Sequence, residues 1–271
     1  MFYPFFKPAQ LPMAAMQTPS GRQTPLLDVY CPRANKLGLE DAKIILLGIS
    51  RKVLDNAGKT GIPTPSIVLF SEDAFRYRYS ITSEQALDGI NSLMRVLAED
   101  VWMACCLSIM ETSQNYMEAS NTGYFFSSSQ LLSSPKRLLT DWDRVVLREF
   151  GPSISMCSKR KIIWQERTEE LVHLQKPFPM LPLPNGINVE HRVCGDVGTK
   201  PLMPMEDSVT LVSAFRLDNY QLKALSLRRN TILANDGENG ILHSEHNMFS
   251  VAAAPVQSSP GWKAVCISKE E

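Results

Sequence analysis

The sequence has no excess of charge of either sign, since 28 basic side chains stand against 28 acidic ones. That removes the bulk electrostatic attraction on which sequence-independent binding to nucleic acid or anionic membrane depends. It has no apolar run of the roughly 20 residues that a membrane-spanning helix needs, because Arg95, Glu99 and Asp100 interrupt the most promising window. At the start there is no basic stretch leading into a clean apolar one, and Pro4, Pro8 and Pro12 break the segment, which argues against a secretory leader. Lys7 and Arg22 without an acid in the first 27 residues leave organelle import open, although the prolines oppose the amphipathic helix it uses.

The six cysteines, Cys31, Cys105, Cys106, Cys157, Cys194 and Cys266, include no C-x-x-C pair. They read as free thiols, and the expected setting is an intracellular, reducing compartment, the cytoplasm or a virion. Also missing are the G-x-S-x-G elbow, the dinucleotide fingerprint and a phosphate loop; Gly195-Asp196-Val197-Gly198-Thr199-Lys200 lacks the required spacing and reads as a turn. No internal repeat is visible. No cofactor, metal ligand or catalytic residue is assigned on these grounds.

What is present starts with a 44% hydrophobic content, adequate for a core in a chain of 271 residues. Thr82 and Gln85 fit a capping box, and Leu87, Ile90, Met94, Leu97 and Val101 recur at steps of three and four. Residues 101–110 then carry no charge at all and should be buried all round. Together these predict a long central helix over about 83–112. A second helix is expected over 39–56, with Ile44, Leu47, Val53 and Leu54 as its core face and Gly58 beyond its end. Residues 66–70 are short, β-branched and bounded by turn residues, and read as a buried strand. Residues 115–135 are serine-rich and read as a long surface loop anchored by Tyr124, Phe125 and Phe126; further helices are expected over 141–150 and 159–175. Alternation at Val209, Leu211, Ser213 and Phe215, and the run 262–268, predict strands.

The expected class is therefore α+β: a mainly helical core, a small antiparallel β region in the C-terminal part, and extended N- and C-terminal arms. The expected divisions are an arm over 1–36, a helical core domain over 37–175, a proline-rich linker over 176–207 and a β-rich region and tail over 208–271. Prolines keep the arm and the linker extended. Their large side chains, Phe2, Tyr3, Phe5, Phe6, Phe178 and Met180, cannot be buried within a few residues and are the candidate partner-binding groups.

That pattern favours a non-catalytic structural subunit of a larger assembly, coat-like or accessory, whose partners are copies of itself or other protein subunits. One alternative is an RNA-binding module. It would use the alternating aromatic and basic run 75–79, with Arg76 and Arg78, and the basic helix start Lys159, Arg160 and Lys161. Another is an enzyme around His191, Cys194 and His246. Against it, His243 and His246 are three apart, not the four that aims two imidazoles at one metal, and His191 with Cys194 shows no second half of a site.

Overall fold

Strand, not helix, dominates the chain. The computed structural model describes residues 24–32, 36–61, 64–72, 74–75, 81–112, 116–137, 161–164, 178–198, 208–215, 231–234, 250–252 and 262–269. Among them are two helices, α1 (Leu39–Thr60) and α2 (Ser83–Met94). The strands are β1 (Thr24–Pro32), β2 (Ser66–Leu69), β3 (Val101–Thr112), β4 (Tyr116–Phe126), β5 (Leu131–Pro135), β6 (Lys161–Trp164), β7 (Met180–Pro182), β8 (Asn188–Val193), β9 (Ser208–Ser213), β10 (Thr231–Ala234), β11 (Ser250–Ala252) and β12 (Trp262–Lys269).

They form two mixed sheets. The larger runs β11-β12-β1-β2-β3-β4-β5, with β6 pairing the first residues of β4; the smaller runs β10-β9-β8-β7. In the first, β1, β2 and β3 are parallel while β3, β4 and β5 alternate in direction. In the second, β8, β9 and β10 are parallel and β7 is reversed. One face of the large sheet buries Val68, Phe70, Met103, Cys105, Leu107 and Phe126 against Leu46, Ile49, Ile90 and Leu93 of the helices. The other buries Leu27, Val29, Ile67, Leu69, Trp102 and Phe125 against Val189, Val209, Leu211 and Ile232 of the small sheet. A sheet covered on both faces needs apolar side chains on both sides of its strands.

This corrects the expectation of a mainly helical core, and the long central helix over 83–112 shows why. The capping box is present: Thr82 Oγ1 accepts from the Gln85 N–H at 3.3 Å, and Gln85 Oε1 accepts from the Thr82 N–H at 3.0 Å. The helix nevertheless ends at Met94, a tight turn through residues 95–100 follows, and Val101 begins a strand. Residues 101–110 are buried on nearly every side, as their lack of charge implied, but by alternation. Val101, Met103, Cys105, Leu107 and Ile109 face the helices, while Trp102 and Ala104 face the second sheet. A continuous apolar run does not distinguish a helix from a strand covered on both faces.

Other expectations shift for related reasons. The α1 helix passes through Gly58 and ends at Gly61, whose φ of 71° is the left-handed conformation a helix end favours. Its buried face is Ala42, Leu46, Ile49 and Val53, so Ile44, Leu47 and Leu54 lie outside, 71%, 40% and 59% exposed. The expected loop over 115–135 is the β4–β5 hairpin, with Tyr124, Phe125 and Phe126 buried on alternate faces. Lys161 to Trp164, expected in a helix, form β6; the rest of 159–175 and all of 141–150 lie outside the described residues. The β-rich C-terminal region is correct in its strands but not in its antiparallel arrangement, since β9 and β10 are parallel and β11 and β12 join the large sheet. Within 176–207, the interval expected as linker, lie β7, β8 and a short 3-10 turn, Cys194–Gly198. Residues 1–23 lie outside the described residues, and no described helix is long and apolar enough to cross a membrane.

The two sheets come close together at Gly123. A Cβ there would stand 2.9 Å from Val193 Cγ2 and 3.1 Å from the His191 ring, both on β8. Gly123→Ala is expected to lower stability by about 1–3 kcal/mol through overpacking. Adding Val193→Ala to it should recover part of that loss. The check is the denaturant midpoint of the two single variants and the double one; strict additivity would show that the sheets do not touch here.

Candidate active site

Parallel strands gather their C-terminal ends along one edge, and residues just beyond those ends bring charged and thiol side chains to that edge. In the large sheet β5 runs in the same direction as β2, being reversed twice relative to β3. Glu72 follows β2, and Lys136 follows β5 directly. In the small sheet Cys194 follows β8, and Ala214 and Phe215 follow β9. Ligand crevices in open α/β sheets form outside such carboxyl ends.

Hydrogen bonds draw these ends together. Ser213 Oγ, at the last residue of β9, donates to the Phe70 carbonyl at 2.6 Å, so the ends of β2 and β9 abut across the sheets. The Glu72 N–H donates to the Ala214 carbonyl at 3.3 Å, and the Cys194 thiol donates to the next carbonyl, Phe215, at 3.8 Å. Glu72 and Cys194 thus hang from consecutive residues of one segment. The Arg137 N–H donates to Asp196 Oδ1 at 2.8 Å, which fastens the residue after Lys136 to the turn that Cys194 opens.

Lys136 Nζ lies 2.8 Å from Glu72 Oε1, and the two side chains are only 1% and 8% exposed. Asn121 Nδ2 donates to the same oxygen at 3.1 Å, and Asn121 Oδ1 is occupied by Ser108 Oγ at 2.7 Å, which fixes the orientation of the amide. The Lys136 N–H donates to the Asn121 carbonyl at 2.7 Å, continuing the β4–β5 ladder beyond Pro135. Buried charges persist only when paired and hydrogen-bonded, and these are.

Cys194 is buried at 4% exposure and has a φ of 39°. Left-handed backbone is uncommon outside glycine and costs of order 1–3 kcal/mol, and such residues concentrate at functional sites. Beside it Arg192 pairs with Glu190 and reaches the Asp196 carbonyl at 3.3 Å. The guanidinium groups of Arg137 and Arg192 both lie over the Phe178 ring, at 3.8 and 4.3 Å from its centroid. Burial lowers the Arg137 pKa from its ordinary value, with Asp196 opposing the shift.

His191 Nε2 is 2.9 Å from Ser213 Oγ. The single Ser213 hydroxyl proton goes to Phe70, so His191 must donate from Nε2, and its Nδ1 is bare, buried and without a hydrogen-bond partner. Burial pushes the His191 pKa down from 6.5 to about 3, so the ring is neutral at neutral pH.

Of the residues singled out from sequence, Cys194 stands in this site and His191 lies three residues before it on β8. His246 lies outside the described residues, as do Phe2, Tyr3, Phe5, Phe6, Arg76, Arg78, Lys159 and Arg160. Lys161 opens β6, Phe178 is buried beneath the two guanidinium groups, and Met180 is half-buried in β7. Glu72, Asn121 and Lys136 did not emerge from sequence. The available signal was a charged residue shortly after a strand, as in Phe70-Ser71-Glu72 and Ser134-Pro135-Lys136. Among the described residues no group of three or more His, Cys, Asp or Glu is arranged to hold a metal ion.

The fold has likenesses among solved structures. It is similar to an amidase from Nesterenkonia sp., with a TM-score of 0.47, 16% identity, and coverage of 92% of this chain and 94% of that one. It is similar also to a cysteine-to-serine mutant of the Nesterenkonia AN1 amidase from the nitrilase superfamily, at TM-score 0.46, 16% identity and 89% and 91% coverage. A cysteine-to-alanine mutant of that amidase in complex with butyramide matches at TM-score 0.47, 15% identity and the same coverage. No family model and no curated protein matches the chain. The expectation of a non-catalytic structural subunit is corrected at its physical premise, since the helical core and extended linker it assumed give way to strands of two packed sheets.

The geometry carries two expectations. Glu72→Gln leaves a buried ammonium without its counter-charge and should cost about 3–5 kcal/mol, whereas replacing both partners, Glu72→Gln with Lys136→Met, should recover much of that loss in a urea melt. The second concerns pH. Below about 6.5 the unfolded chain protonates His191 while the folded one does not, so this residue removes about 1.4 kcal/mol per pH unit as pH falls from 6.5 towards 3. Wild type and His191→Gln should therefore diverge in acid, with the variant showing the shallower loss of stability in melts between pH 7 and pH 4.

Proposed function

We propose that the chain is a cysteine-dependent hydrolase acting on an acyl–nitrogen bond, with Cys194 as nucleophile, Glu72 as proton carrier and Lys136 as the cation that stabilises developing negative charge. The observation that carries this is the gathering of a buried Glu–Lys pair and a positive-φ cysteine on one edge of two abutting sheets. A thiol becomes a nucleophile on losing its proton, and a nearby carboxylate can accept it. His191 does not compete for that role, being held neutral as a donor to Ser213.

In this reading the Glu72 carboxylate takes the Cys194 proton as sulfur bonds to the substrate carbonyl carbon. The resulting oxyanion is stabilised by the Lys136 ammonium, which is already desolvated and needs little rearrangement. Glu72 returns the proton to the nitrogen, the C–N bond breaks and the amine leaves, with the acyl group held as a thioester on Cys194. Water then gives a proton to Glu72 and its hydroxide oxygen to the carbonyl carbon; the C–S bond breaks, the acid departs, and Glu72 returns that proton to the sulfur, restoring thiol and carboxylate. The choice of an amide over an ester rests on the proton carrier. From a tetrahedral intermediate thiolate leaves more readily than an unprotonated amine, so amide cleavage requires an acid beside the nitrogen. A thiol doing this work must stay reduced, which fits the expected reducing compartment.

The test is trapping. Incubation with small aliphatic amides should give a wild-type mass increase equal to one acyl group, located on the Cys194 peptide. Cys194→Ala should show neither adduct nor ammonia release, and Glu72→Gln or Lys136→Met should lower turnover at least a hundredfold, the scale typical of lost acid–base or oxyanion groups. Amide turnover that survives Cys194→Ala would overturn the assignment.

A further inference from the structure

We infer that His191 and Ser213 are positioning residues that hold the thiol of Cys194 in register with Glu72, by fastening the ends of β8, β9 and β2 through one chain of two hydrogen bonds. This rests on the roles just given to Cys194 and Glu72. The chain runs from His191 Nε2–H to Ser213 Oγ at 2.9 Å, and from the Ser213 hydroxyl to the Phe70 carbonyl at 2.6 Å. Each bond joins a different pair of strand ends, and each end leads directly into the site. His191 lies three residues before Cys194, Phe70 two residues before Glu72, and Ser213 immediately before the Ala214 and Phe215 carbonyls that receive the Glu72 N–H and the Cys194 thiol.

The direction of donation makes the arrangement single-valued. Ser213 is wholly buried and His191 3% exposed, so neither turns to water. With the hydroxyl proton committed to Phe70, only the Nε2–H tautomer of His191 completes the chain. The Nδ1 and Cε1 edge of the ring lies beside Gly123, where a Cβ would come within 3.1 Å of both atoms, so only glycine leaves the ring this place. The charged groups at these strand ends, Glu72, Lys136, Arg137, Glu190, Arg192 and Asp196, are on other residues and are not altered by substitution at His191 or Ser213. A change at His191 or Ser213 acts on the site through position alone.

The experiment uses iodoacetamide as probe, with the alkylation rate of the Cys194 peptide followed by mass spectrometry between pH 5 and pH 10 in full-length protein. The comparison is wild type, Glu72→Gln, His191→Phe, His191→Gln and Ser213→Ala, each with a thermal melt. His191→Phe keeps the ring but has no donor; His191→Gln places an amide N–H near the position of Nε2. His191→Phe and Ser213→Ala are expected to move the profile towards that of an ordinary thiol near 8.5 and to slow alkylation at neutral pH about tenfold or more, since displacement of about 1 Å can cost a hundredfold. His191→Gln should restore most of the wild-type profile. A lowered melting temperature with an unchanged profile in His191→Phe, or no rescue by His191→Gln, overturns the inference. If Glu72→Gln leaves the profile unchanged, it is the reading of Cys194 and Glu72 as a working pair that fails, and the positioning role falls with it.

Discussion

The ion pair between Glu72 and Lys136 is the constraint on which the rest of the structure turns. Each charge loses several kcal/mol of hydration on burial, and their attraction offsets this only if the geometry is good and the remaining hydrogen-bonding capacity is met. The pair joins the end of β2 to the end of β5, two strands that are not neighbours, across the intervening β3 and β4. Asn121 on β4 and Ser108 on β3 supply the extra hydrogen bonds from those intervening strands. Four strands of one sheet are therefore held in a common register by a single polar network, and a slip of one residue in any of them would strand a buried charge.

The second sheet is fitted to that network by close contact. Gly123 lets β8 approach β4 so nearly that any side chain at this position would meet Val193 and His191. The same approach puts the last residues of β8 and β9 beside the last residues of β2, where the Ser213–Phe70 bond closes the gap. Apolar packing between the sheets, from Leu27, Ile67, Trp102 and Phe125 to Val189, Val209 and Leu211, provides the attraction but little directional preference. The polar contacts at the edge select one relative placement from the many that apolar faces would tolerate.

How much of this was legible in the sequence varied with the range of the signal. Local chemistry was readable: Thr82 and Gln85 cap α2, Ser66 to Leu69 form a buried strand, and the alternation of residues 208–213 marks β9. The failure at residues 101–110 was one of period, because a strand covered on both faces shows neither an alternating nor a helical pattern. In α1 the helix was correct and its buried face was rotated, since Ile44, Leu47 and Leu54 are as apolar as Leu46, Ile49 and Val53 and only tertiary packing decides between the two sets. The site was largely illegible. Glu72, Lys136 and Cys194 are separated by about 60 residues at each step and are joined by sheet topology, which no local spacing encodes. Cys194 was visible only as a neighbour of His191 with no second half of a site, and in the structure the histidine serves Ser213 on β9, which in turn reaches Phe70.

That reassignment of the histidine bears on how such a site works. An imidazole beside a thiol ordinarily invites the role of general base, but a base must be able to take a proton and retain it in its surroundings. His191 is enclosed so completely that protonation would place an uncompensated charge in the interior. Glu72 is in the opposite position, since its carboxylate has a buried counter-charge, the Lys136 ammonium, 2.8 Å away. Burial thus has contrary effects on the two groups. It leaves the histidine a neutral donor to Ser213, while the lysine beside Glu72 gives that carboxylate a buried partner. The positive φ of Cys194 belongs to the same balance: a backbone conformation that costs stability persists because the strand ends on both sides of it are fixed by groups that cannot move without losing buried hydrogen bonds.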